Sequence, residues 1–502
     1  MQPDTKKLYT NYTTLLQKAA DLNNASAVLG WDQEVYMPPK GAYFRGRQLA
    51  TLATQAHELL TSEKYENLLR GLMRLEGLSD TEKHNVRLGN EDFQKNKKLS
   101  PAFVDELSRL TSESFNAWVE ARKKNDYSLF APSLSKMIAI KRKQADMYGY
   151  KDHPYDALLD EYEKGATVAM LDLVFKKIRE DFPVLLDKIK AAPQVSNDCF
   201  HQHFSATNQW DFSISVLTRM GFDFDAGRQD YSEHPFTTSF APSDVRITTR
   251  VEESNFASML WSSIHEGGHA LYEQGLPEGQ YGLPLGAAAS LSIHESQSRL
   301  WENCIGRGID FWKFFYPRLQ KYFPRQLEAV TLDTFYKAMN LVSPSLIRTE
   351  ADEITYHFHV MIRYEIEKAL IEGSLQPADL RDKWNELYWQ YLGVKPKNDV
   401  TGVLQDVHWS HGSFGYFPTY SLGSFYAAQF FHQATKEMPN LLTEIENGNT
   451  HNLLNWLREK IHKHGKFYTA QELCIQVTGE KLNFAHFMRY AATKYGAIYG
   501  LG

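Results

Sequence analysis

The chain has 502 residues, 43% hydrophobic and 23% charged, a balance that excludes a disordered polymer and leaves ample length for a deep core. A net charge of -6 and a pI near 6.3 give no basic footprint for nucleic acid. No apolar run approaches membrane-spanning length, and Cys199, Cys304 and Cys474 are odd in number and in no metal or disulfide spacing, so the sequence reads as a soluble protein of the reduced cytoplasm.

The N-terminal stretch MQPDTKKLYTNYTTLLQKAADLNN carries acidic and amide residues where a signal peptide needs an unbroken apolar core. From Leu8 to Ala27 apolar residues recur at spacings of three and four, and the same period runs through PAFVDELSRLTSESFNAWVEARKK and ATVAMLDLVFKKIREDFPVLLDKIKAA. These segments predict a helical scaffold. Between Gln229 and Glu252 the texture turns to Thr, Phe and Val around a Pro-Ser-Asp turn, which predicts a short hairpin or two strands. SSIHEGGHALYEQG, Ser262 to Gly275, follows at once, and then the most glycine-rich passage, Gly275 to Ser290. No repeat or long linker divides the chain. The expectation is one unit over 1–502, with a helical part over about 1–228 and a metal-site part over about 229–502.

His265 and His269 are four apart, so on a helix they share one face and can grip one metal ion, with zinc the natural choice for such nitrogens. Glu266, beside the first histidine, is placed to take a proton from water that the metal acidifies. Gly267 and Gly268 each cost roughly 1 kcal/mol in a helix interior, which points to a close approach of another backbone or of a substrate there. A zinc site completed by a third histidine would carry Gly and His three and six residues past His269, but Tyr272 and Gly275 stand there. A carboxylate from a following helix is the other solution. LSIHESQSRLWENC supplies Glu295, with His294 and Glu302 competing. The position four past Glu295, where a thermolysin-type site has an Asp to orient a histidine, holds Arg299. That carboxylate must come from elsewhere, with Asp352 and Asp406 as candidates.

Six segments stand in order: HPF (His234 to Phe236), DVRIT (Asp244 to Thr248), HEGGH, HESQ (His294 to Gln297), IRTEAD (Ile347 to Asp352) and GVLQDVHW (Gly402 to Trp409), with WDQEVYMPPKGA and HGSFGYFPTYSLG beside them. Together the sequence resembles the carboxypeptidase Taq family of zinc metallocarboxypeptidases over most of its length. The resemblance implies an elongated, mostly helical fold with a deep central groove, a homodimer, and removal of C-terminal amino acids with broad tolerance. It puts His265, His269 and Glu295 at the ligand positions of one Zn²⁺, for which Co²⁺ is a possible substitute, and Glu266 at the general base. It brings His408, Tyr416 and Tyr420 to the site as candidates for supporting the oxyanion. A free terminal carboxylate calls for a guanidinium fork. Arg348 is the first candidate and Arg246 the second, whose strand is a candidate to hold the substrate backbone by strand addition. The rival readings are a helical zinc oligopeptidase or dipeptidase, and a non-catalytic helical binding protein.

Overall fold

The computed structural model describes residues 3–501. Helices dominate, and the three periodic segments form as expected over Pro3–Val35, Pro101–Lys124 and Val168–Ala191. The first extends beyond the periodic stretch to take in Trp31 and Asp32. Ser100 and Thr167 cap the other two by accepting the amides of Phe103 and Met170, the role such side chains play where a helix has orphan amides.

Among the described residues the β-structure comprises three strands, β1 (Gly227–Tyr231), β2 (Thr237–Ala241) and β3 (Asp244–Thr249), in the order β1-β3-β2. The predicted hairpin is β2–β3, closed by a turn at Pro242 and Ser243. β1 is an addition: it pairs with β3 in parallel, Arg228 opposite Arg246. Side chains alternate along a strand. Val245 and Ile247, fully buried, therefore share the face of Thr237 and Ser239, while Arg246 shares the opposite face with Thr238. That second face is covered by the N-terminal helix, whose Trp31 ring lies 4.4 Å from the Arg246 guanidinium.

One main core runs from Phe103 to Tyr499 without a break near residue 228. A smaller core joins Tyr12, Leu16, Tyr65, Leu69 and Phe93 to Leu283 of the glycine-rich loop, and Asn85 pins that loop by accepting the Leu285 amide at 3.0 Å. Between helix Asp80–Lys97, the 148–167 segment and the same loop lies a cavity of about 1030 Å³ whose wall includes Lys95, Tyr162, Leu291 and His294. No helix among the described residues is long and apolar enough to cross a membrane.

Candidate metal centre

His265 and His269 lie on helix Phe256–Glu273, which starts where Asn255 accepts the Ala257 amide. Their rings stand 4.9 Å apart, one turn from each other. The two glycines between Glu266 and His269 answer to close packing: a Cβ on Gly268 would come within 2.7 Å of the Ser298 Cα, and one on Gly267 within 2.5 Å of Leu217. Ser298 belongs to helix Leu291–Arg299, which carries Glu295 and is capped by Ser290 accepting the Ile293 amide. Helix Pro418–Glu437 crosses on its other side, again at a glycine: a Cβ on Gly423 would lie 2.5 Å from Glu295 Cγ. Three helices thus meet at glycines around one carboxylate.

Ligand atoms of His265, His269 and Glu295 fall within 4.8 Å of one another. Glu295 Oε2 lies 3.7 Å from His265 Nε2 and 3.4 Å from His269 Nε2, close to the separation of about 3.3 Å expected between tetrahedral zinc ligands at about 2.0–2.1 Å. The other nitrogen of each ring is occupied, which fixes the tautomers. His265 Nδ1 donates to Glu302 Oε2 at 2.9 Å. His294 Nε2 donates to Glu273 Oε1 at 2.7 Å, leaving its Nδ1 to accept from His269 Nδ1 at 2.5 Å. Both Nε2 lone pairs remain for a cation. The electrostatics agree. Burial opposes protonation of His265, yet Glu295 and Glu302 outweigh it and raise its pKa, so the spot attracts positive charge. His269 is shifted down by burial and then by His294. Burial works against the carboxylate of Glu295, but Arg299 and His265 hold its pKa well below the usual range. The donor set fits a divalent metal ion.

Glu302 and His294, which competed with Glu295 in the sequence, each orient one histidine. Asp352 and Asp406 do not fill that place. Asp352 accepts from the amides of Ser343, Ile354 and Thr355 and so shapes the IRTEAD turn. Asp406 accepts from Arg348 on one oxygen and Arg363 on the other. Glu302 had no sequence signal beyond its charge. Its helix widens to a π-form over Leu300–Gly306, a distortion common at functional sites and invisible in residue type. Arg299 bridges the two carboxylates, Nε to Glu295 Oε1 at 2.6 Å and Nη1 to Glu302 Oε2 at 2.9 Å.

Arg348 is buried, donating to Asp406 and, at 3.2 Å, to the Tyr356 hydroxyl. The Tyr420 ring is 4.9 Å from its guanidinium. His408 Nε2 lies 3.2 Å from the Tyr420 hydroxyl, and the Tyr416 and Tyr420 rings are 5.2 Å apart. His408, Tyr416, Tyr420 and Arg348 therefore converge. Burial, with Glu295 among the nearby charges, pushes both tyrosine hydroxyls up, and burial takes His408 down to about 3. Arg246 stands apart. Its fork is closed on Asp244 at 2.9 Å, and it projects from the sheet face opposite Thr237 and helix Phe256–Glu273. Its strand β3 is the central one, so it has no free edge for a substrate backbone; the edge nearer the helix belongs to β2.

The sequence matches the carboxypeptidase Taq (M32) metallopeptidase family over residues 11–495. The chain belongs to this family. It is 39% identical to "Carboxypeptidase 1" of Bacillus subtilis, over 97% of each chain, and 39% identical to "Thermostable carboxypeptidase 1" of Thermus thermophilus, over 98% of this chain and 99% of that one. The crystal structure of the M32 carboxypeptidase from Deinococcus radiodurans R1 superposes with a TM-score of 0.97 at 38% identity, covering 99% of this chain and 100% of the other. As an M32 family member the protein is a metal-dependent peptide hydrolase. For this metallopeptidase the residues that sequence reasoning missed are Glu302 and His294 as partners of the histidines, Arg299 as the bridge, and Tyr356, whose ring lies 4.7 Å from the Arg299 guanidinium while its hydroxyl meets Arg348. In the sequence His294 and Glu302 stood only as rivals for the third ligand, and Arg299 only as a departure from the thermolysin-type pattern.

Proposed function

We propose that the protein is a zinc-dependent carboxypeptidase that releases amino acids one at a time from free peptide C-termini with broad tolerance, with His265, His269 and Glu295 as ligands and Glu266 as general base. The observation that carries the reading is the three-residue group with both histidines held in the Nε2-ligating tautomer. A bound zinc ion would supply Lewis acidity to the scissile carbonyl and acidify the attacking water. Glu266 takes the proton of that water and delivers it to the leaving amine. Tyr416 and Tyr420, kept protonated by burial, stand as hydroxyl donors for the oxyanion, and His408 orients Tyr420. Arg348 is the preferred partner for the terminal carboxylate. The outer edge of β2 ahead of Phe240, whose carbonyl accepts from Asn24, is the place for the substrate backbone rather than β3.

One catalytic unit over the whole chain is supported by the core that spans residue 228. Three free cysteines support a reducing, cytoplasmic setting. A homodimer completes the reading, and light scattering tests it. The deciding experiment is time-resolved mass spectrometry of a peptide incubated with zinc-loaded protein. The expected product is a ladder shortened one residue at a time from the C-terminus, and no cleavage of the same peptide amidated at that end. Internal fragments, or equal cleavage of the amidated peptide, would sink the proposal.

A further inference from the structure

The HPF and DVRIT segments flank β2, and their contacts converge on one hydroxyl. Thr248 of DVRIT is fully buried in the central strand. Its side-chain oxygen accepts the Phe236 amide at 2.9 Å and the Ser232 hydroxyl at 2.7 Å, while its own amide donates to the Phe236 carbonyl at 2.9 Å. These bonds clamp the residue just before β2 and set the register that puts Thr237 opposite Ile247. Alternation along the strand then turns Thr237 toward helix Phe256–Glu273, which carries HEGGH. There its Oγ1 lies 2.6 Å from Glu266 Oε2 and 3.0 Å from the carbonyl oxygen of the same residue.

A glutamate reaches out from a helix through three rotatable bonds, and an unheld carboxylate spends much of its time away from the line of proton transfer. A single donor on Oε2 removes most of that freedom and leaves Oε1 open. The hydroxyl has one proton for two acceptors, and the shorter distance gives it to Oε2, with the main-chain carbonyl of Glu266 as the more distant alternative. Glu266 is 8% exposed, so little water competes for the held oxygen.

We propose that Thr237 is a positioning residue for the general base: its hydroxyl holds Oε2 of Glu266 so that the other oxygen takes the proton, and the HPF and DVRIT segments serve to bring that hydroxyl to the helix. This rests on Glu266 being the base. The test compares wild type with Thr237→Val, Thr237→Ser and Glu266→Gln on one short unblocked peptide, reading kcat and KM separately and measuring zinc per chain by elemental analysis. Thr237→Val is expected to lower kcat about tenfold or more, with KM and zinc content unchanged, and Thr237→Ser, which restores only the hydroxyl, to recover most of that loss. Thr237→Ala takes the place of the valine variant if that one does not fold, and must give the same loss. Wild-type kcat in either hydroxyl-free variant overturns the proposal, as does a serine variant as slow as valine or a loss that falls on KM or zinc instead. Wild-type turnover in Glu266→Gln would remove the base itself, a failure told apart because Thr237 is untouched in that variant.

Discussion

Asp406 faces two guanidinium groups, Arg348 and Arg363, so this buried group keeps one positive charge in surplus. Burying an unbalanced charge is costly unless something repays it, and a substrate carboxylate beside Arg348 would balance the group. Arg246, by contrast, is matched one to one by Asp244 and packed between Trp31 and Phe240. The two candidates separate on this point. Arg348→Lys keeps the charge but loses the fork, and is expected to raise KM about tenfold or more, the value of one charge-assisted hydrogen bond of about 1.5–3 kcal/mol. Arg246→Lys should change KM by less than about threefold. Steady-state kinetics on one peptide decides, and the reverse ranking would return Arg246 to first place. At this scale the sequence exposed what a helix repeat can encode, two imidazoles on one face. It did not expose which carboxylate orients His265, because Glu302, Asp352 and Asp406 differ only in what packs beside each.

Among elements, the helix crossings govern the site. Gly268 lets helix Phe256–Glu273 touch the backbone at Ser298, and Gly423 lets helix Pro418–Glu437 pass Glu295. A methyl group at Gly423 has nowhere to go except into the Glu295 side chain, 2.5 and 2.6 Å away. Gly423→Ala is expected to weaken zinc binding about tenfold or more and to cost about 1–3 kcal/mol of stability by overpacking. The contrast is Gly30→Ala, in the first helix with no atom within 4 Å of the added methyl, where the change should be neutral or stabilising by up to about 1 kcal/mol. Chelator competition and thermal melts of the metal-free protein measure the pair; equal behaviour would deny the crossing its role. The glycines in HEGGH were legible as a packing signal, and the β2–β3 hairpin as a change of texture. The parallel pairing of β1 was not, since GRQDY has neither alternation nor a turn to mark it, and that pairing is what closes β3 to substrate.

For the whole molecule, the question is what couples the N-terminal helices to the metal-site helices, and one answer is Glu163. It follows helix Pro154–Leu159, is 4% exposed, and accepts the Ser292 amide at 3.2 Å at the start of the helix that carries Glu295. Burial, only partly relieved by the Ser292 and Ser290 hydrogen bonds, raises its pKa from 4.5 to about 7. Below pH 4.5 the folded and unfolded chains both carry this proton. Between 4.5 and about 7 the unfolded chain has released it while the folded chain keeps it, so the contribution of Glu163 to stability falls as pH rises through that window. Above about 7 the fall is complete, and its ceiling is about 3 kcal/mol. Glu163→Gln keeps an acceptor for the Ser292 amide and has no proton to lose. Thermal midpoints of the metal-free proteins at pH 5 and pH 8 should therefore shift in favour of the glutamine variant on going to the higher pH. Parallel curves would mean that Glu163 titrates as an ordinary carboxylate and gives the junction no pH dependence, leaving it to apolar packing and the Asn85 hydrogen bonds.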